Sequence, residues 1–223
     1  MIRLKSLNLS NNRLTEIPTQ IGFLASLETL ILEENYIRQI PEELTLLNNL
    51  KILDLENNRL TEFPEDLSEL KKLEKLDLSD NRLKRIPEEI KRLKSLKYLY
   101  LDRNQLTTIH PNLWKLRNLE VLSVRENLIS HLSPKIKRLK KLKYLHFGQN
   151  RLFQIPVEIG KLKALEYLHL GGNKITLIPK TMGQLKNLKT LYIWGNPLKP
   201  REKERLIKLL PHSVIHFLPP GKA

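Results

Sequence analysis

The sequence contains no cysteine. Disulfides, thiol nucleophiles and thiolate metal sites are therefore excluded. No apolar run approaches the ~20 residues of a membrane span. The opening stretch, MIRLKSLNLS, has no hydrophobic segment of signal-peptide length. The expectation is a chain that does not cross a membrane and carries no export signal of its own. Catalytic signatures are missing too. There is no Gly-rich phosphate loop, no G-x-S-x-G and no H-E-x-x-H. No enzymatic activity is expected.

What is present is order of one kind. Apolar residues make up 40% and charged residues 28%, a balance suited to a folded, soluble chain. Asparagine recurs at Asn12, Asn35, Asn58, Asn81, Asn104, Asn127, Asn150, Asn173 and Asn196, always 23 residues apart. With each repeat counted from the leucine eight places earlier, slots 1 and 4 are leucine nine times, from Leu4 to Leu188 and from Leu7 to Leu191. Slot 6 is leucine apart from Val124, Phe147 and Ile193. Slots 11, 14, 18 and 21 are aliphatic apart from Phe63 and Met182. Proline holds slot 15 six times and slips one place in repeats five and six, to Pro111 and Pro134.

The pattern L-x-x-L-x-L-x-x-N-x-L resembles the leucine-rich repeat (LRR). The fold this implies is an α/β solenoid, a horseshoe with a parallel β-sheet on its concave face and 3₁₀ or extended segments on its convex face. The short L-x-L core reads as a strand with alternating faces. Each asparagine reads as a buried turn residue whose amide satisfies backbone groups of neighbouring coils. No single repeat can bury its own leucines, so stacking forms the core. Residues 1–198 are assigned to nine repeats, the last incomplete, and 199–223 to a C-terminal cap. In the cap, Leu206, Ile207, Leu209 and Leu210 have helical spacing, which predicts a helix over about 201–210 and a short strand over about 214–217. The ending NPLKPREKERLIKLLPHSVIHF resembles the cap of 23-residue-period LRR proteins carried in many copies by some pathogenic bacteria. That resemblance implies a secreted or surface-associated, non-enzymatic binding protein. With no signal peptide in the chain, a cytoplasmic location is the alternative. Met1 falls at slot 21 of an earlier coil. An uncapped first strand at Leu4–Leu9 would be a template for self-association.

Slots 3, 5 and 7 face outward on the concave wall. The first half of that wall is acidic, with Glu33, Glu34, Asp54, Glu56, Asp77 and Asp80. The second half gathers Tyr98, Tyr100, Arg103, Arg125, Tyr144, His146, Tyr167, His169, Tyr192 and Trp194. Tyrosine, tryptophan and arginine are the types enriched at binding hot spots, so these ten residues are the candidate surface for a protein partner. The plainer reading is that tyrosine suits exposed strand positions. Gly148 and Gly171, beside the histidines, are read as leaving room for a partner to approach. His146 and His169 are neighbours in slot 5 and carry three readings: contact residues, ligands for a divalent metal such as zinc, or a titrating pair. No other cofactor is expected. His216 is read as extending their column past Tyr192.

Charge also divides the chain. Residues 1–95 carry 15 Lys+Arg against 17 Asp+Glu, and residues 96–223 carry 24 against 7. A ridge that includes Lys91, Arg92, Lys94, Lys115 and Arg117 contains no acid in its slots. It is read either as a solubilising surface or as a site for a polyanion: a sulfated glycan, nucleic acid or anionic lipid.

Overall fold

The computed structural model describes residues 3–219 and 221. Met1, read as part of an earlier coil, lies outside the described residues. Ten short strands follow one another in a single parallel sheet, in chain order. They are β1 Ser6–Asn8, β2 Thr29–Ile31, β3 Ile52–Asp54, β4 Lys75–Asp77, β5 Tyr98–Tyr100, β6 Val121–Ser123, β7 Tyr144–His146, β8 Tyr167–His169, β9 Thr190–Tyr192 and β10 Val214–His216. Neighbours up to β9 pair with an offset of one repeat, Leu99 against Leu122 for example. The fold is the expected LRR solenoid.

The core follows from the slots. The leucines of slots 4 and 6 from coil two onward lie beneath the sheet, with Leu30, Leu99, Leu101 and Leu168 fully buried. From Asn35 to Asn196, each side-chain NH₂ donates to the slot-6 carbonyl of its own coil and of the coil before. Each Oδ1 accepts the slot-11 N–H one coil back. A turn that buries its backbone thus leaves none of these groups orphaned.

Slot 8, just before the asparagine, has left-handed backbone in all nine repeats, from Asn11 (φ 57°) to Gly195 (φ 63°). Glycine and asparagine tolerate this, but Glu34, Arg103, Glu126 and Gln149 adopt it at a cost. Asn11, Asn57, Asp80, Gly172 and Gly195 are of the types that favour this backbone, so the sequence carried a partial sign of it.

The return side of each complete coil is a single 3₁₀ helix, such as Glu88–Arg92, Pro111–Lys115 and Pro134–Arg138. Proline normally precedes this helix. Where it slips one place, the vacated slot 15 holds an acceptor instead. His110 Nδ1 accepts from the Asn112 N–H (3.3 Å) and Ser133 Oγ from the Lys135 N–H (3.2 Å). Side-chain capping replaces the fixed φ of proline. Slot 19 faces the next coil. In three coils it is a glycine, Gly22, Gly160 and Gly183, and a Cβ at Gly160 would lie 2.3 Å from the Thr181 carbonyl oxygen. In coil five the same slot holds the buried Trp114.

A helix, α1 Pro200–Leu209, closes the last coil. Leu206 is fully buried, and Leu209 and Leu210 pack on the core. Ile207, counted with them from its spacing, instead points to solvent. It falls about 100° round the helix from Leu206, on the outer face. The Glu202 carboxylate accepts the Ile178 N–H (2.7 Å) and pairs with Arg205, fastening the helix to coil eight.

Candidate binding surface

The strands carry slots 3 to 5, so their outward residues form columns one strand apart. Register pairs His146 with His169, His169 with Tyr192, and Tyr192 with His216. The rings lean on one another. Tyr144 lies 6.3 Å from Tyr167, His146 4.8 Å from Tyr167, and Tyr167 5.5 Å from Tyr192. His169 stacks on Tyr192 at 5.3 Å and meets Trp194 edge-on at 5.9 Å. Tyr192 and His216 are nearly parallel in a stack at 4.2 Å. The result is one continuous ring array over β7 to β10. Each such contact is worth ~0.5–1.5 kcal/mol beyond area burial.

Six of the ten candidate residues therefore come together: Tyr144, His146, Tyr167, His169, Tyr192 and Trp194. The other four do not join them. Tyr98 and Tyr100 are cut off from the rings by β6, whose outward residues are Val121 and Ser123. Tyr100 lies instead under the Lys75 ammonium, 5.7 Å away. Arg103 turns to the acidic half, bonding Asp80 at 2.6 Å and approaching Glu56 at 3.7 Å. Arg125 stands between the halves.

The glycines leave no open room. A Cβ added to Gly148 would sit 2.1 Å from His169 Nδ1, and one added to Gly171 would sit 2.6 Å from Trp194 Nε1. The spaces read from sequence as free are filled by rings leaning back one coil. This lean also explains why His169 is only 9% exposed although its slot faces outward. The two imidazoles are held down to about 4, first by burial. The Arg125 charge adds to this at both, and His169 adds to it at His146. Both are neutral at pH 7. The neighbours around the pair are rings, and among the described residues no third ligand groups with it to hold a metal ion.

The acidic half is packed as well. Asp54 and Asp77 are register partners and both are buried. Lys75 Nζ neutralises Asp54 at 3.0 Å. Burial pushes the Asp77 carboxyl up, and the Asp54 charge adds to it. Burial likewise raises Glu56, helped by Asp77, Asp54 and Asp80. Oxygens of Glu33, Asp54 and Glu56 lie within 4.8 Å of one another. On the far side of the coil, Lys91, Arg92, Lys94, Lys115 and Arg117 line one open groove with Asn118.

Residues 2–60, 25–83, 48–106 and 71–129 match the leucine rich repeat family model, and residues 107–210 match a leucine-rich repeat region. An LRR protein of Leptospira interrogans shares the fold with a TM-score of 0.95 and 44% identity, over 96% of this chain and 54% of that one. The chain thus spans about half of that relative's length. The LRR ectodomain of the plant membrane receptor kinase GASSHO1/SCHENGEN3 from Arabidopsis thaliana, solved in complex with CASPARIAN STRIP INTEGRITY FACTOR 2, matches with a TM-score of 0.80 and 36% identity, over 87% of this chain and 24% of that one. A chain from an octameric complex of Latrophilin 3, Unc5D and the LRR part of FLRT2 matches with a TM-score of 0.85 and 25% identity, over 96% of this chain and 69% of that one. No curated protein sequence matches.

Proposed function

The chain belongs to the leucine-rich-repeat family, and we propose that it is a non-enzymatic binding protein that holds a protein partner on its concave wall, centred on the rings of β7 to β9. The continuous ring array carries this reading. The fold asks only for outward residues at these slots, yet rings gather over the last coils and lock together. Large rings with few rotatable bonds give much contact area for little lost entropy. Similar solenoids occur in complexes with other proteins, in the Arabidopsis ectodomain and the FLRT2 assembly. The period and the C-terminal ending support a secreted or surface-exposed protein of a bacterium, with a host or cell-surface protein as partner. The experiment is capture of a partner from candidate surface proteins by the wild type and by the Tyr167→Ala, Trp194→Ala double variant. The double variant should fold and bind ~2 kcal/mol or more weaker. Equal binding by the two overturns the reading.

A second reading rests on the basic groove. Five cations brought to one groove without an acid among its lining residues suit a sulfated glycan, nucleic acid or anionic lipid. Binding of heparin should fall steeply as salt rises and should be lost with Lys94→Glu, Arg117→Glu. Binding that is indifferent to salt and to both changes removes this reading.

A further inference from the structure

Four buried side-chain nitrogens have no hydrogen-bond partner among the described residues: Trp114 Nε1, Arg125 Nε, His169 Nδ1 and Trp194 Nε1. Trp114 lies in the 3₁₀ helix Pro111–Lys115, away from the sheet. The other three stand in one row. Arg125 is at slot 7 of coil six, and slot 7 of the next two coils is Gly148 and Gly171. His169 Nδ1 lies over the first glycine and Trp194 Nε1 over the second. An unpaired buried polar group costs ~1–3 kcal/mol, so such a row calls for an occupant.

The chemistry of the row names the occupant. Guanidinium and indole can donate hydrogen bonds and cannot accept them. Both ends of the row are therefore donors, and the ligand must bring acceptors. Charge points the same way. From coil six onward slots 3, 5 and 7 hold no acid, and with neutral histidines Arg125 is the single charge on that part of the wall. Its nearest carboxylates do not satisfy it. Glu126 forms an ion pair with Nη2 at 3.6 Å, too long for a hydrogen bond, and Nε stays unpaired. Asp102 already accepts the Ser123 hydroxyl (2.5 Å) and the Arg125 backbone N–H (2.7 Å) through one oxygen. The Arg125 side chain is meanwhile 40% exposed, open to a group from outside.

We propose that this row receives an acidic segment of the protein partner, with an Asp or Glu side chain against the Arg125 guanidinium and a backbone carbonyl taking the Trp194 indole N–H. The inference rests on the concave-wall reading and names the partner's chemistry. The Gly148–Gly171 stripe is where the segment lies, once the His169 and Trp194 rings tilt away from the glycines and present their nitrogens.

The test uses a display library of random twelve-residue peptides selected on the intact protein. Enriched peptides should carry Asp or Glu. For one such peptide, changing the acid to its amide, or Arg125→Gln in the protein, should weaken binding about tenfold or more. Arg125→Lys should fall between, because it keeps the charge and loses the fork. The indole ¹⁵N–¹H signal of Trp194, assigned by Trp194→Phe, should shift on binding while that of Trp114 stays. Peptides that need Tyr167 but carry no acid and ignore Arg125→Gln overturn this inference and leave the concave-wall reading standing. Peptides that ignore Tyr167 as well, or a library that yields no binder, overturn both.

Discussion

Asn104→Ala tests how the solenoid is held together. The side chain is 8% exposed and makes four bonds. Its Nδ2 donates to the carbonyls of Leu78 (2.9 Å), Leu101 (3.2 Å) and Asp102 (3.1 Å), and its Oδ1 accepts the Leu83 N–H at 2.9 Å. The three carbonyls each have another donor. Leu78 O also accepts from Asn81, Leu101 O from Asn127, and Asp102 O from the Asp80 N–H. The Leu83 N–H has no such reserve. Alanine therefore orphans one buried donor, at ~1–3 kcal/mol, and removes second bonds from three shared acceptors at some tenths each. The sum is ~2–4 kcal/mol. Asn12, which is exposed and bonds only Leu9 and Ser10 within its own turn, should cost under ~1 kcal/mol when changed to alanine. Asn104→Asp should be worse than alanine, since a carboxylate would face three carbonyls. Urea titration followed by far-UV circular dichroism measures all three. Equal midpoints for the Asn12 and Asn104 variants would refute the ladder as a source of stability.

Three further outcomes are expected. At Gln149, an exposed residue with φ 53°, glycine should raise stability by ~0.5–1 kcal/mol, and no gain in the denaturant midpoint would mean the left-handed turn is not strained. The histidine pair should make the fold acid-sensitive. Each imidazole is near 6.5 when unfolded and held to about 4 when folded, so its contribution is full above pH 6.5 and is lost as pH falls towards 4. By pH 5 the loss should be ~1–2 kcal/mol per histidine in thermal unfolding, and His146→Gln with His169→Gln should flatten the slope between pH 7 and 5. If the pair serves only as contacts, EDTA should leave partner affinity unchanged, and a loss reproduced by His169→Ala would instead assign it zinc.

The period of 23 made the core, the strand register and the asparagine ladder legible, because each depends on one residue type at one spacing. The outward columns were legible as positions. What those positions do was less so. His169 and Trp194 were readable as outward-facing, but their lean over Gly148 and Gly171 is a matter of rotamers, which no spacing records. Arg103 and Arg125 are both wall arginines in sequence, at slots 8 and 7, yet the Arg103 guanidinium is drawn to Asp80, whereas among the described residues the Arg125 guanidinium has no carboxylate within hydrogen-bond distance. The proline slip at Pro111 and Pro134 looked like an irregularity. It is accompanied by His110 and Ser133 as caps, a signal that was present in the residues at the vacated slot. Trp114 had no signal at all, since slot 19 tolerates glycine, lysine and tryptophan alike.

The offset of one coil has a mechanical consequence. Among the described residues, hydrogen bonds reach no further along the chain than the 27 positions between Ile178 and Arg205. Tension applied to the two ends therefore meets the bonds of one coil at a time, with no distant contact to share the load. Peeling one coil frees 23 residues, an extension of roughly 80 Å. Held in an optical trap, the molecule should lengthen in a staircase of such steps from an end inward, and it should rewind in the same increments when the tension is released.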